Sequence, residues 1–289
     1  MIQLIFDTLA TAALVAPAAV GFTLIFALLG FANFAVGAVM AAGAFAAWSV
    51  NALLGWPISA AAVAAMMACA ALVLSCDRLV FHPLREAPAW ALLVSSVALS
   101  FVIENLLRLV FRADVRGYDV PLARPIIWLE ARIAPDAAWS ILAAAATLAL
   151  VLAGLRLLPW GRALRAAADD PSLAALRGIP IGHLRVFANL LAGALAGLSG
   201  TLAGFSLAIE PGLGWSLTVS VIAAAILGGI GSASGAVLGA VLIAFVEELA
   251  VKVATPAYRP AIGFIALALV LMLRPQGLLG RPLAAGRDQ

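Results

Sequence analysis

TLATAALVAPAAVGFTLIFALLGFANFAVGAVMAAGAFAAWSVNALLGWPISAAAVAAMMACAALVLSC, residues 8–76, contains no Asp, Glu, Lys or Arg. A membrane span needs about 20 apolar residues, so this stretch holds several, divided at Gly30-Phe31-Ala32-Asn33 and Gly55-Trp56-Pro57. The rest of the chain agrees: 65% of its residues are hydrophobic and 11% charged, against about a quarter charged in a soluble domain. In lipid the backbone must satisfy its own polar groups. A barrel would show alternating segments of about ten residues, whereas these apolar runs are continuous. The predicted fold is all-α, a polytopic transmembrane helical bundle of eight or nine spans with Gly-broken helices. The spans fall near 8–30, 33–54, 57–77, 90–111, 138–158, 186–208, 215–230, 234–253 and 258–273. Between 215–230 and 234–253, GGIGSASGA (228–236) is either a tight turn between two spans or the break in one discontinuous helix.

Orientation follows from the cations in the loops. Arg78, Arg85, Arg156, Arg162, Arg165, Arg177, Arg185, Arg274, Arg281 and Arg287 lie on one side. Arg112, Arg116, Arg124, Arg132, Lys252 and Arg259 lie on the other. The bias places the first set in the cytoplasm and, with nine spans, the N-terminus outside. The external loop 112–137, with prolines at 121, 125 and 135, reads as an outer rim ordered by turns. MIQLIFDTLA has an acidic residue and no cation where a cleavable signal peptide is positive. The seven tryptophans, at 48, 56, 90, 128, 139, 160 and 215, fall near span ends or in loops, as interfacial anchors do.

Several function classes are excluded. A formal charge of +3 is too small to imply nucleic-acid binding. Lys252 is the only lysine, and no GxxxxGK[ST] phosphate loop precedes it, so this chain is not itself an ATPase by that route. His82 and His183 stand in loops without paired ligand spacing, Cys69 and Cys76 read as buried thiols used as small hydrophobes, and no metal or enzyme site is expected.

Some polar residues lie inside the spans. Asn33 adjoins a helix break, and with Gly37, Gly228, Gly229, Gly231 and Ser232 it admits two readings. One is close helix packing through small residues, with Asn33 bonding across helices. The other is a discontinuous helix whose freed backbone lines a solute path. Glu104 and Arg108, four apart in the acid-first order, read as a structural ion pair facing the bundle, since a mid-membrane charge costs about 2.5–3.5 kcal/mol on insertion scales. Glu247 and Glu248, near Lys252, are expected at a span end.

One polar island interrupts the apolar chain: GRALRAAADDPSLAALRGIPIGHLR, residues 161–185. Arg162, Arg165 and Asp169 share a helix face continuing from the preceding span. Asp170-Pro171 restarts a helix, with Asp as N-cap and Pro at the first position. That helix runs about two turns, Pro171 to Arg177, with Leu173 and Leu176 on one side, and stops at Gly178. It is too short to stand alone in water. Spacing leaves two seats for it: its own bundle, or a groove in a soluble partner that takes apolar anchors and an Arg rim.

Five motifs in order carry a resemblance: NFAVGAVMAAGAF (33–45), FHPLRE (81–86), GRALRAAADDPSLAALRGI (161–179), LGGIGSASGAVLGA (227–240) and LRPQGLLG (273–280). The chain resembles permease subunits of the branched-chain amino acid ABC importers across essentially its whole length. It departs from the family pattern at Val36, where members commonly carry His, and at His82, where Arg is frequent; no role of the first position is carried over. The resemblance implies one transmembrane permease domain, 1–289, in the bacterial inner membrane, with a cytoplasmic coupling segment at 159–185. It implies as partners two ATP-binding-cassette ATPase subunits, a second permease of the same family and a periplasmic solute-binding protein. ATP would bind the partners, leaving no cofactor on this chain. Branched-chain amino acids, or related amino acids and amides, are the implied cargo. It also makes Arg162, Arg165, Asp170, Pro171, Leu173, Leu176, Arg177 and Gly178 the surface gripped by the ATPases. The competing reading is an ion-coupled secondary transporter of small amino acids, working through Glu104 or Glu247.

Overall fold

The computed structural model describes residues 2–112, 114–120, 126–128, 131–253, 259–273 and 277–280. Arg124, Arg274, Arg281 and Arg287, used above for orientation, lie outside the described residues, as do the prolines at 121 and 125. Of Arg132 and Arg259 only the backbone is described.

The structure is a helical bundle. Seven stretches are long and apolar enough to cross a membrane: Ile2–Leu29, Val36–Leu53, Ile58–Phe81, Ala89–Phe111, Pro135–Leu157, Ile181–Ser206 and Ala233–Lys252. The first begins earlier than expected because Asp7 does not end it; Gln3 Nε2 donates to Asp7 Oδ1 at 2.7 Å one turn away. We label the helices α1 (Ile2–Leu29), α2 (Val36–Trp48), α3 (Ile58–Cys76), α4 (Ala89–Phe111), α5 (Pro135–Leu157), α6 (Pro159–Asp169), α7 (Pro171–Leu176) and α8 (Ile181–Ser206). Shorter α9 (Leu213–Gly228) and α11 (Arg259–Leu273) flank α10 (Ala233–Val253). π-helical turns extend α2 over Ser49–Leu53 and α3 over Asp77–Phe81. The two strands among the described residues, β1 (Ile126–Trp128) and β2 (Ala131–Ile133), form an antiparallel hairpin in the loop between α4 and α5.

At the centre, α8 packs on α1, α2 and α3, while α1 also packs on α9 and α10. The sequence of α8 makes this possible. Gly193, Gly197, Gly200 and Gly204 recur every three or four residues and form a stripe that admits neighbouring backbones. A Cβ at Gly193 would meet the backbone of Cys69 and Ala70, and one at Gly200 the backbone of Met40. A Cβ at Gly43 would lie 2.8 Å from Gly197 Cα. Polar backbone freed inside the bundle is satisfied across the same interface. Pro17 lies inside α1, where it disturbs the i→i−4 ladder, and the next amide, Ala18 N, donates to Ser199 Oγ of α8 at 2.9 Å.

Two expectations about intramembrane charge are corrected. Arg108 donates to Glu104 at 2.6 Å, but the Arg side chain is 54% exposed and sits on the outward face of α4, beside exposed Leu109 and Val110. The pair lies one to two turns from the helix end, near enough for a long side chain to reach the interface. Glu247, by contrast, is not exposed at a span end. It is 2% exposed and accepts from Ser220 Oγ of α9 at 2.6 Å, as a carboxylate buried in a helical bundle requires. Glu248 faces α1 instead, accepting from Thr11 Oγ1 at 2.7 Å.

The described part of the loop after α4 is fastened to the bundle. Arg116 and Ile209 exchange both backbone hydrogen bonds, at 3.0 and 3.1 Å, Tyr118 Oη donates to Thr201 O at 3.0 Å, and Asp119 N donates to Asn51 Oδ1 at 2.8 Å. Residues 114–120 therefore lie as a strap over the bundle end that carries the far ends of α2, α3 and α8. Burial pushes the Tyr118 phenol above its ordinary range, which keeps it a neutral donor.

Candidate coupling surface and solute path

At the opposite end of the bundle from the strap, α5 stops at Leu157. Leu158 is extended (φ −80°, ψ 150°), and Pro159 opens α6 as a separate helix. The expected continuation from the preceding span is thus corrected. The signal was present, because Pro at a first helical position marks a start at 159 as it does at 171. Gly161, Leu164 and Ala167 form the buried face of α6, while Arg162 and Arg165 are exposed. A Cβ at Gly161 would strike the Leu155 backbone, so the fold back onto α5 needs glycine there. Arg165 reaches the Leu155 carbonyl.

Asp170 ends α6 and starts α7. Its Oδ1 accepts from Ser172 N at 2.9 Å, Leu173 N at 3.0 Å and Ser172 Oγ at 2.6 Å. Pro171 follows at the first helical position, and α7 covers six residues, Pro171–Leu176, slightly shorter than expected. Its exit is a Schellman turn: Gly178 N donates to Ala175 O at 2.9 Å, Ile179 N to Ala174 O at 3.1 Å, and Gly178 takes φ +80°. The two seats left open by the sequence are not exclusive. Ala174, 3% exposed, belongs to the main apolar core, whereas Leu173 is 49% and Leu176 86% exposed. Arg177 is exposed beside them. One small side chain seats the helix on its own bundle, and two leucines with an arginine rim face away from it. Asp170→Ala removes the cap shared by the two helices and is expected to cost about 1 kcal/mol of local stability. Faster amide exchange at Ser172 and Leu173, with no change in the core of α8, would be the readout; equal exchange would contradict it.

The residues considered for a solute path do not come together. Asn33 lies between α1 and α2 and bonds its own chain, its Oδ1 accepting from Ala35 N at 3.0 Å, rather than a neighbouring helix. It lines a small apolar recess with Gly21, Ile25, Val39, Val73 and Ala196. Gly37 lies against α9, where a Cβ would strike Gly214 O and Thr218 Oγ1. Gly228 ends α9, and Gly229 (φ +103°) and Gly231 (φ +87°) with Ser232 make the tight turn into α10. GGIGSASGA is therefore a turn between two packed helices, closed by Gly228 and Gly235 backbone to backbone.

A seat unforeseen in the sequence belongs to Gly277–Gly280. Leu278 N donates to Leu227 O at 2.8 Å and Leu279 N to Gly228 O at 3.0 Å. A Cβ at Gly277 would lie 2.6 Å from Gly229 Cα. The signal was the LRPQGLLG motif itself, whose glycines allow the close approach.

A bundle with seven membrane-length apolar helices is an integral membrane protein. Helices of this kind satisfy their backbone polar groups internally, as crossing a bilayer requires. The sequence model of the permease component of the branched-chain amino acid transport system matches residues 4–273. The high-affinity branched-chain amino acid transport system permease protein LivH of Escherichia coli K12 is 30% identical, over 97% of this chain and 96% of its own length. The corresponding protein BraD of Pseudomonas aeruginosa is 30% identical over 91% of each chain. Among solved structures, a chain of PsaBC from Streptococcus pneumoniae, in complex with Fab, gives a TM-score of 0.52 at 15% identity, covering 93% of this chain and 91% of that one; this likeness shows a shared fold alone. The chain belongs to the branched-chain amino acid transport permease family, a family of transport permeases rather than of enzymes.

Proposed function

We propose that this chain is the membrane-spanning subunit of an ATP-driven importer of branched-chain amino acids or closely related amino acids and amides. Two separate ATP-binding-cassette ATPase subunits would supply the energy, a second permease of the same family would complete the pathway, and a periplasmic solute-binding protein would deliver the cargo. The observation that supports the reading best is the outward pair Leu173 and Leu176 on a helix capped at both ends and seated by Ala174. In this reading ATP, bound on the partner subunits, draws them together around α7. Because Asp170 is the last cap of α6 and the first of α7, the two helices move as one lever on α5 and α8. Access to the solute path then alternates by a shift between two packed arrangements.

The test is reconstitution in liposomes with and without the partners. ATP-dependent uptake of labelled leucine, only when ATPases and binding protein are present, is the expected result. Uptake by the chain alone on an ion gradient, abolished by Glu247→Gln, would establish the ion-coupled carrier instead.

A further inference from the structure

We propose that residues 114–119 are the outer gate of the permease, a strap latched by Arg116 and Tyr118 and pivoting at Arg112. The inference rests on the transport reading above. Its ground is the way the strap is fastened. The Arg116 guanidinium lies over the Trp48 ring, 4.1 Å from its centroid, and donates to Phe111 O at 2.8 Å. It thereby clamps the end of α2 to the end of α4, and the paired backbone bonds to Ile209 add the segment that follows α8. Tyr118 closes the notch among α2, α3 and α8. Its ring occupies the space a Cβ at Gly204 would need, packs edge-on against Phe205 at 5.0 Å between centroids, and touches the small-residue cluster of Ala47, Ala61 and Ala65.

These contacts are few and reversible. They are hydrogen bonds, one cation–π contact and one packed ring, with no covalent tie among them. The pivot is marked as well. Arg112, the C-cap of α4, is the one non-glycine residue with positive φ among those described, at φ 62° and ψ −166°. That region is essentially reserved for glycine, and strain held there favours any rearrangement that relieves it. Beneath the strap the α2–α8 seam runs inward past Gly200 and Gly43 to the recess beside Asn33. The seam is closed backbone to backbone, Gly200 against Met40 and Gly43 against Gly197, so release of the strap is the step that lets α2 and α8 part at the outer mouth.

A reversible cross-link tests this. The antiparallel pairing of Arg116 with Ile209 sets Gly117 opposite Ala208, both exposed, and bridge-flanking positions suit a disulfide. Gly117→Cys with Ala208→Cys leaves every latch contact in place, and native Cys69 and Cys76 are embedded in α3. In the assembled complex, oxidation is expected to lower uptake at least tenfold, and reduction to restore it to within twofold of the parent. Equal uptake in both states overturns the gate. A second arm needs no transport at all. Thr201→Cys, beneath Tyr118, should react with a membrane-impermeant maleimide severalfold faster when combined with Arg116→Ala, and not at all when the strap is cross-linked. Unchanged labelling in both overturns the gate whatever the protein carries, whereas a labelling response without solute uptake would count against the transport reading alone.

Discussion

Leu176→Arg is expected to stop the proposed ATP-driven uptake while leaving the permease folded in the membrane. The two halves of that result have separate causes. Leu176 is almost wholly exposed and touches none of the core clusters, and substitutions at such positions change stability by about 0.5 kcal/mol or less. If an ATPase groove receives this side chain, it is a central apolar anchor, and losing one costs about 2 kcal/mol or more of association. That is roughly a 30-fold loss of affinity, before the repulsion of a buried guanidinium is added. Leu173→Arg should act in the same direction with some structural cost, since half of that side chain is covered. Ala174→Arg is the contrasting variant: it drives a charge into the core, so the chain itself should fail to accumulate. Co-purification of the ATPases with membrane-inserted Leu176→Arg, at the parental level, would remove the coupling assignment.

Gly200→Ala is expected to be the most damaging single-methyl change in the bundle. Its Cβ has no flexible neighbour to displace, because it points into the Met40 carbonyl and Cα on α2, so two whole helices must separate. Overpacking a tight interface costs about 1–3 kcal/mol, and separating α2 from α8 also loosens Gly43 from Gly197 on the same seam. Gly182→Ala supplies the comparison within the same helix. Nothing lies within 4 Å of its added methyl, and Gly→Ala at such a helical site stabilises by about 0.4–1 kcal/mol. Thermal unfolding in detergent should therefore move in opposite directions for the two variants, Gly200→Ala falling and Gly182→Ala level or rising. A parallel shift would mean that the glycine stripe is not what sets the helix spacing.

The order of the apolar helices was legible in the chain because hydropathy reports it directly, but their number as spans was not: seven reach membrane length among the described residues, where eight or nine were expected. The island was legible too, since Asp170-Pro171 and Gly178 are local turn chemistry that needs no knowledge of neighbours. Which face of each span turns inward was not legible. In lipid both faces are apolar, so nothing in α4 told that Arg108 points outward, and nothing in α10 that Glu247 points inward to Ser220. The glycine spacing of α8 did hold that information in its rhythm of three and four residues. The strap was hidden for another reason: Arg116, Tyr118 and Asp119 have no periodicity, and their partners Trp48, Thr201 and Asn51 lie 68 to 83 residues away. Asn33 was open to two readings in the sequence, and its amide oxygen does local work at the entry to α2, accepting from Ala35 N.

The junction at Leu278 and Leu279 bears on how the chain is made. During synthesis α9 enters the membrane well before residues 277–280 leave the ribosome, so its terminal carbonyls at Leu227 and Gly228 wait without the amides that finally cover them. The turn at Gly229 is completed only when the closing span has been inserted and its exit folds back. The permease thus has a built-in order of assembly, in which a nascent chain halted after α10 holds all seven membrane-length stretches and still lacks the seal over the end of α9.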